Sequence, residues 1–261
     1  MNNTFNWNEF VELYDWEFDI MCDEQKHDVE FYQSMIAKKR GSVLEIGCGT
    51  GRITQHLLVV ADYVTVVDSA PAFLEKFMDK LGEQSTKLEI VCSDMRDIDL
   101  PKRYDHIIMS YSTFQYLLTT EDQVKTLQRL KKHLSDDGQI LLDISPFIAI
   151  AESQLEYIPY YHHYHEVLKA NITMLTSYRI DNDEKIQYWK DKYIINYTDE
   201  SIKKGQIEKF VHHLALRRVE IEEMKQLCQM ANLQVKQIYG SYDHGIIKKD
   251  SNNWFFVINH Y

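Results

Sequence analysis

The sequence is poor in the residues and segments that mark several classes of protein. Its 261 residues include only four prolines and nine glycines, and no stretch is rich enough in either to indicate a flexible linker. The four cysteines (Cys22, Cys48, Cys92 and Cys228) are scattered without a C-x-x-C pair. This pattern favours free thiols in a reducing compartment over a disulfide framework. No apolar run approaches the length of a membrane span.

Positive charge is also scarce. There are 29 Lys and Arg residues against 40 Asp and Glu, a net charge of -11. Duplex nucleic acid is bound by clustered basic residues, so the balance argues against such a partner and tolerates a cationic substrate such as an amine. Residues 1–6 lack the charged and apolar regions of a signal peptide. We therefore expect a cytoplasmic protein without a nucleic-acid or membrane partner. Its oligomeric state stays open, a dimer included.

The stretch around which the chain is organised runs from Ser42 to Arg52. An apolar run containing Glu45 is followed by glycines at alternate positions, Gly47, Gly49 and Gly51, and then by helical apolar spacing. The pattern predicts a buried strand, a tight turn and the start of a helix. Glycine allows a ligand to approach the backbone closely, and the helix N-terminus offers unpaired N–H groups.

The glycine spacing is G-x-G-x-G, with Arg52 where the dinucleotide fingerprint has glycine or alanine. Glu45 would repel a phosphate but suits a ligand that carries an ammonium group. The run closely resembles motif I of the class I S-adenosylmethionine-dependent methyltransferases. That resemblance implies that Glu45 holds the methionine amino group and that Gly47, Cys48, Gly49 and Arg52 line the cofactor. An NAD-linked oxidoreductase on the same sheet is the rival that Arg52 disfavours.

Acidic residues also end the next two predicted strands. Asp68 ends a β-branched run, where nucleoside-binding α/β folds bind the ribose hydroxyls, although it could instead cap the helix that follows. Ser69 is a candidate for that cap, with Pro71 in the first turn, and also a candidate cofactor contact. Asp94 and Met95 resemble the adenine-binding motif of the same family. We expect Arg96 beside them to be a surface charge.

The segment 110–117 follows the fourth predicted strand. It resembles Phe-Ser-Ser-Ile-Gly-His of amino-sugar N,N-dimethyltransferases and, more loosely, glycine-type N-methyltransferases. Tyr116 then stands where the family has a histidine thought to act as a base. A neutral phenol is a poor base but can donate or accept a hydrogen bond. The alignment implies cofactor contacts from Ser110 and Gln115, and a substrate contact from Tyr111.

The N-terminal region, Trp7 to Arg40, is predicted to form two helices. Tyr14-Asp15 matches the Tyr-Asp pair that opens many small-molecule methyltransferases, in which the N-terminal helix covers the cofactor as a lid. The resemblance implies that Tyr14 lies at the active site as a catalytic residue and a cofactor contact, and that Trp16 contacts substrate. Asp143, at the end of the fifth predicted strand, either holds a substrate ammonium or caps a loop.

From about Tyr157 to Leu216 the pattern changes to successive strands, with a hairpin turn at residues 181–184. Related methyltransferases insert an antiparallel sheet here as a substrate cover, which implies a substrate contact from Tyr178. The region also contains a group of histidines: His162, His163, His165, His212 and His213. Adjacent strand residues face opposite sides, so we expect no metal site. One of these histidines is instead a candidate proton acceptor.

The predicted fold class is α/β: a Rossmann-like doubly wound sheet with a C-terminal antiparallel hairpin, an inserted antiparallel β lid and N-terminal lid helices. We expect one domain, divided into residues 1–40, 41–150, 151–216 and 217–261. The resemblance implies an S-adenosylmethionine-dependent methyltransferase that methylates an amine nitrogen of a small molecule or short peptide by in-line displacement. O-methylation of a small metabolite, or adenosyl-ligand binding without turnover, are the alternatives.

Overall fold

A computed structural model describes residues 7–21, 27–82, 86–146 and 152–261. Residues 1–6 and Cys22 lie outside the described residues. The helices in the described part are α1 (Trp7–Met21), α2 (Asp28–Lys38), α3 (Thr54–Val60), α4 (Pro71–Leu81), α5 (Thr120–His133) and α6 (Ile221–Met230). None of these helices has the length and apolar character needed to cross a membrane.

As predicted, strands first alternate with helices along the chain and then follow one another directly. They are β1 (Ser42–Ile46), β2 (Tyr63–Asp68), β3 (Leu88–Cys92), β4 (Tyr104–Met109), β5 (Leu134–Ile144), β6 (Gln154–His165), β7 (Ala170–Asp181), β8 (Ile186–Tyr197), β9 (Ile207–Arg217), β10 (Leu233–Tyr239) and β11 (Trp254–His260). The chain divides into two compact units. The inserted unit comprises Met1–Met21 and Ala149–Leu216, and the core unit comprises Cys22–Ile148 and Arg217–Tyr261.

The core unit contains the central sheet, whose strand order is β10-β11-β5-β4-β1-β2-β3. Strands β1 to β5 pair in parallel, while β11 pairs antiparallel with both β5 and β10. This arrangement confirms the predicted fold class. The strand order reverses where β1 lies between β2 and β4, and ligands of such sheets bind beyond the carboxyl ends of the strands at this switch point.

Both faces of the central sheet are buried, as expected of parallel strands covered by helices. Leu44 and Ile46 of β1 pack on one face with residues of α5 and α6, whereas Val43 packs on the other. That second layer includes Phe31 and Ile36 of α2. The apolar stripe of α2 therefore places it in the core unit, rather than with α1 in a single N-terminal element covering residues 1–40.

The inserted unit contains the second sheet, of strand order β6-β7-β8-β9, and helix α1. Strands β7 and β8 form the predicted hairpin, which pairs without a register shift from Ala170↔Tyr197 to Asp181↔Ile186. Phe10 and Leu13 of α1 pack against apolar residues of this sheet, Ile172 among them. We call the side of the sheet that they cover its α1 face.

Candidate cofactor site

The loop after β1 requires glycine at two positions. Gly47 has φ 72° and its N–H donates to the carbonyl of Val67 over 2.7 Å, while a Cβ there would lie 2.6 Å from the side chain of Thr113. Gly51 has φ 79°, and a Cβ there would lie 2.0 Å from the ring of Phe77. Both positions combine a left-handed backbone with a close neighbour, so a side chain would displace the loop from the ends of β1 and β2.

Glu45 lies beneath this loop with 1% of its surface exposed. Its Oε2 accepts a 2.6 Å hydrogen bond from the Thr54 hydroxyl, and no described residue donates to Oε1. Burial raises the pKa of Glu45 to about 7, against smaller lowering effects of Thr54 and Arg52. A buried carboxylate with an unused oxygen suits an ammonium ligand. The positive charge of the ligand would stabilise the ionised carboxylate, which burial has deprived of water.

Asp68 ties the glycine loop to the start of α4. Its Oδ2 accepts from the Gly49 N–H over 2.8 Å and its Oδ1 from the Ala70 N–H over 2.9 Å. Burial raises the pKa of Asp68, and these backbone donors lower it in part. A carboxylate has about four lone-pair sites, so two ribose hydroxyls can still be accepted. Pro71 begins α4 as predicted, but Ser69 is not its cap, because the N-cap position is Ala70.

Asp94 is held by Arg96 rather than standing alone. The Arg96 Nε lies 2.9 Å from Oδ1 of Asp94 and its Nη2 lies 2.6 Å from Oδ2, which lowers the pKa of Asp94. Arg96 also reaches Asp122 at 3.2 Å. Arg96, which was expected to be a surface charge, therefore orients Asp94, the predicted hydrogen-bond acceptor for adenine. Met95 beside it is half-buried and packs against the core.

A turn with two left-handed residues follows β4. Tyr111 has φ 53° and Ser112 has φ 60°, a conformation that costs about 1–2 kcal/mol for each non-glycine residue. Asp143, only 3% exposed, accepts from the Ser112 N–H over 3.0 Å and from the Tyr32 hydroxyl over 2.8 Å. Burial raises the pKa of Asp143 to about 6. Of its two predicted roles, the structure shows the one that anchors a loop, and strain of this kind is common at functional sites.

Gln115 is buried and hydrogen-bonded to backbone groups on both sides of it. It is 0% exposed, and its Nε2 donates to the carbonyls of Ser145 and Arg217, each over 3.0 Å. Its Oε1 accepts from the Ser145 N–H over 2.8 Å. Both amide donors are used within the chain, so Gln115 connects three backbone segments, and its cofactor contact stays a prediction.

Arg52 has a partner that sequence analysis missed. Its two terminal nitrogens lie 2.7 and 2.6 Å from the carboxylate oxygens of Asp28, which is 2% exposed. The Arg52 guanidinium also lies 6.0 Å from the centre of the exposed Tyr111 ring. The sequence offered no signal for this pair, because an acidic residue in the first turn of a helix is common on dipole grounds alone.

The other predicted residues fall into two groups. In the core unit, Cys48 is buried, and burial raises the pKa of its thiol. The carbonyl of Ser110 accepts a hydrogen bond from the Thr113 hydroxyl. Tyr116 is half-buried and ends a 3₁₀ turn. The candidates Tyr14, Trp16 and Tyr178 lie in the inserted unit. Tyr14 packs edge-on against Phe10, Trp16 stacks on His165 at 4.8 Å, and Tyr178 lies 4.8 Å from Trp189. Their contacts with ligands stay predictions.

The histidines of the inserted unit have contacts of their own. Within the described ranges no group of three or more His, Cys, Asp or Glu side chains could hold a metal ion. The ring of buried His212 stacks on Phe10 at 4.5 Å, and burial lowers its pKa to about 4. His212 is therefore neutral near pH 7. His162 lies 2.7 Å from the Thr173 hydroxyl.

Three comparisons with known proteins agree with this geometry. Residues 43–138 match the family model of the methyltransferase domain. A malonyl-[acyl-carrier protein] O-methyltransferase of Anoxybacillus flavithermus is 32% identical over 126 residues, which are 48% of this chain and 46% of that protein. The chain thus spans about half the length of that curated relative.

The solved structures show the same fold along nearly the whole chain. An S-adenosylmethionine-dependent methyltransferase from Clostridium acetobutylicum has a TM-score of 0.81 at 15% identity, over 97% of this chain and 98% of that one. An amino pentose methyltransferase from Micromonospora echinaspora, solved with S-adenosylmethionine, has a TM-score of 0.72 at 14% identity, over 95% and 96%. Residues 43–138 are therefore similar to a methyltransferase domain, and the chain has the fold of solved S-adenosylmethionine-dependent methyltransferases.

Proposed function

We propose that the protein methylates an amine nitrogen of a small molecule or short peptide. The observation that carries the proposal is the pair of carboxylates at the glycine loop, Glu45 and Asp68, which lie at the ends of neighbouring parallel strands. Glu45 would hold the ammonium group of S-adenosylmethionine and Asp68 its ribose hydroxyls. Asp94 and Met95 would hold the adenine. When bound, the cofactor supplies an electrophilic methyl group on a sulfonium.

Nitrogen is supported as the acceptor by charge and by the likeness of segment 110–117. A net charge of -11 favours substrates that carry positive charge. A neutral amine already has the lone pair that attacks the methyl group, so the protein needs only to position it. An amine that arrives as an ammonium ion must first lose a proton. Tyr116 can orient such an amine by hydrogen bonding, which does not require a side chain of histidine-like basicity.

Methylation of a carboxylate oxygen is the second candidate, and the similarity to a malonyl-[acyl-carrier protein] O-methyltransferase favours it. A carboxylate needs no base either, because it is already an anion near pH 7. The matched region covers 48% of the chain. The similarity therefore supports binding of the same cofactor more than it supports the same methyl acceptor.

An assay with methyl-labelled S-adenosylmethionine tests the proposal. The purified protein is incubated with a panel of amines, hydroxylated amines and a malonyl thioester, and labelled product and S-adenosylhomocysteine are measured together. We expect label in an amine, and loss of turnover in Glu45→Gln. The matched variant Asp79→Asn, an exposed acid of the core unit, should keep turnover. Label only in the thioester would establish the O-methyl alternative, and adenosyl-ligand binding without any product would indicate a silent binding protein.

A further inference from the structure

The α1 face of the second sheet carries a row of polar and aromatic side chains. Gln187, Trp189, Asp191 and Tyr193 alternate along β8 and therefore point to the same side of the sheet. Their cross-strand partners on β7 are Ile180, Tyr178, Thr176 and Met174. Tyr193 belongs to the cluster on which Phe10 and Leu13 of α1 pack, so the row runs from that cluster to the hairpin end of the sheet.

Glu17 of α1 and Asp191 of this row have no cationic partner among the described residues. Oε2 of Glu17 accepts from the hydroxyls of Tyr161 and Tyr193 over 2.9 and 2.8 Å. Oδ1 of Asp191 accepts from the Thr176 hydroxyl over 2.6 Å. Among the described residues, nothing donates to Oε1 of Glu17 or Oδ2 of Asp191, and no Lys, Arg or His pairs with either acid.

The pKa values of both acids are raised, as expected of carboxylates without a neighbouring cation. Burial raises the pKa of both Glu17 and Asp191, and that of Asp191 to about 7. The negative charge of Glu17 adds to the effect on Asp191. Acids in such surroundings are usually paired, because an isolated buried charge is costly. A positively charged ligand would supply the pairing.

A second observation points to a ligand at the same face. Gln187 is 3% exposed, and its Oε1 has no hydrogen-bond partner among the described residues. The buried Nε1 of Trp189 has none there either. More than about nine in ten buried polar groups of folded proteins are hydrogen-bonded, so two unpaired groups on one strand require an explanation. Together they offer one acceptor and one donor, beside a Trp189–Tyr178 ring pair 4.8 Å apart.

We propose that this row binds a hydroxylated organic amine in its cationic form. The free oxygens of Glu17 and Asp191 accept from the ammonium group, and the neighbouring rings attract the cation through their π faces. Gln187 accepts from a ligand hydroxyl, and Trp189 donates to a ligand oxygen. That this amine is the methyl acceptor rests on the proposed function, whereas the binding itself does not.

The test uses phenylethanolamine and its neutral analogue phenylethanediol, in which a hydroxyl replaces the amine. Binding to the full chain is measured by ligand-observed NMR near pH 7. We expect the amine to bind about tenfold or more tightly than the diol, because charge-assisted hydrogen bonds to a carboxylate are the stronger kind. Asp191→Asn should remove this preference, and Trp189→Phe should weaken the binding of both ligands.

The control is Asp183→Asn, which removes an exposed acid from the turn between β7 and β8 and should leave both affinities unchanged. Circular dichroism and S-adenosylmethionine affinity report whether each variant is folded. Equal binding of amine and diol, or an Asp191→Asn variant that keeps the preference, would overturn the inference.

The outcomes also separate this inference from the proposed function. Amine binding as described, with no methyl transfer to any amine, would leave the binding site standing and refute the nitrogen acceptor. Methyl transfer to amines, together with equal binding of amine and diol by NMR, would refute the binding site and leave the proposed function standing.

Discussion

The hydroxyl of Tyr32 donates a 2.8 Å hydrogen bond to Asp143, joining helix α2 to the end of strand β5. The same carboxylate accepts from the N–H of Ser112, in the turn whose two residues have left-handed backbone angles. One buried acid thus connects a helix on the sheet to the loop at the carboxyl end of β4. The conformation of that loop depends on the helix as well as on its own sequence.

We expect Tyr32→Phe to destabilise the protein by about 1–3 kcal/mol, since a buried acceptor loses a donor. The pKa of Asp143 is raised from 3.8 to about 6 in the folded state, so its burial lowers stability as the pH rises through that window. Losing the donor penalises the ionised form most. Denaturant unfolding should therefore show a larger loss at about pH 8 than at about pH 5.

Tyr63→Phe is the matched control for this change. The Tyr63 hydroxyl also donates to a carboxylate, that of Glu89 at 3.1 Å, but at a partly exposed position. We expect a loss within about 0.5 kcal/mol there. Equal losses in the two variants would show that the Tyr32–Asp143 bond has no special part in the fold.

Cofactor affinity should depend on pH through Glu45. Its pKa of about 7 in the free protein means that the carboxylate is largely protonated below that pH and cannot attract an ammonium group. The affinity for S-adenosylmethionine should rise between about pH 6 and about pH 8. Titration calorimetry at several pH values measures this. Glu45→Gln should bind about tenfold or more weakly and lose this pH dependence; a dependence that persists in the variant would assign it to another group.

The same substitution should change stability in the opposite direction. The raised pKa of Glu45 means that the folded state binds the proton more tightly, so stability falls as the pH rises from about 4.5 to about 7. Glu45→Gln removes this cost and should be more stable than the wild type at about pH 8. Thermal unfolding measures it, with Asp79→Asn as the control; a less stable Glu45→Gln at that pH would contradict the electrostatic account.

Gly51→Ala should unfold the loop or the protein. The left-handed backbone costs about 1–2 kcal/mol for a non-glycine residue, and the clash with the Phe77 ring adds about 1–3 kcal/mol. Gly205→Ala, with a similar φ of 72° and open space around it, isolates the first of these costs. If chemical denaturation showed equal losses, close packing of the loop on Phe77 would not be what requires the glycine.

Gln115→Met separates a structural role from a cofactor contact. It removes three hydrogen bonds and leaves backbone groups of Ser145 and Arg217 without these partners, each at a cost of about 1–3 kcal/mol. We expect a lower Tm and, well below it, a Kd for S-adenosylmethionine within about twofold of wild type. Exposed Gln229→Met should change neither quantity. A large rise in Kd at unchanged Tm would restore the cofactor contact.

The sequence predicted those parts of the fold that depend on local pattern. The third and fourth strands, Leu88–Cys92 and Tyr104–Met109, could be predicted because short apolar runs with clear polar borders define them. Pro71 begins α4 because its fixed φ suits a first turn.

Partners distant in sequence could not be predicted in the same way. Arg52–Asp28 joins α2 to the glycine loop and Tyr32–Asp143 joins it to the end of β5. Neither residue of a pair carries a local signal of the other. The amphipathic stripes of α1 and α2 showed that each helix packs, but not against which sheet. The partners of Gln115 are equally distant in sequence, so nothing local indicated that it satisfies backbone groups of Ser145 and Arg217.

The central claim is that Glu45 and Asp68 hold an adenosyl ligand that carries an ammonium group. Calorimetric titration of the protein with S-adenosylmethionine, S-adenosylhomocysteine and NADH tests it most directly. We predict micromolar binding of the two adenosyl amino acids, no binding of NADH, and loss of affinity in Glu45→Gln and Asp68→Asn. Binding of NADH instead, or equal affinity in wild type and both variants, would contradict it.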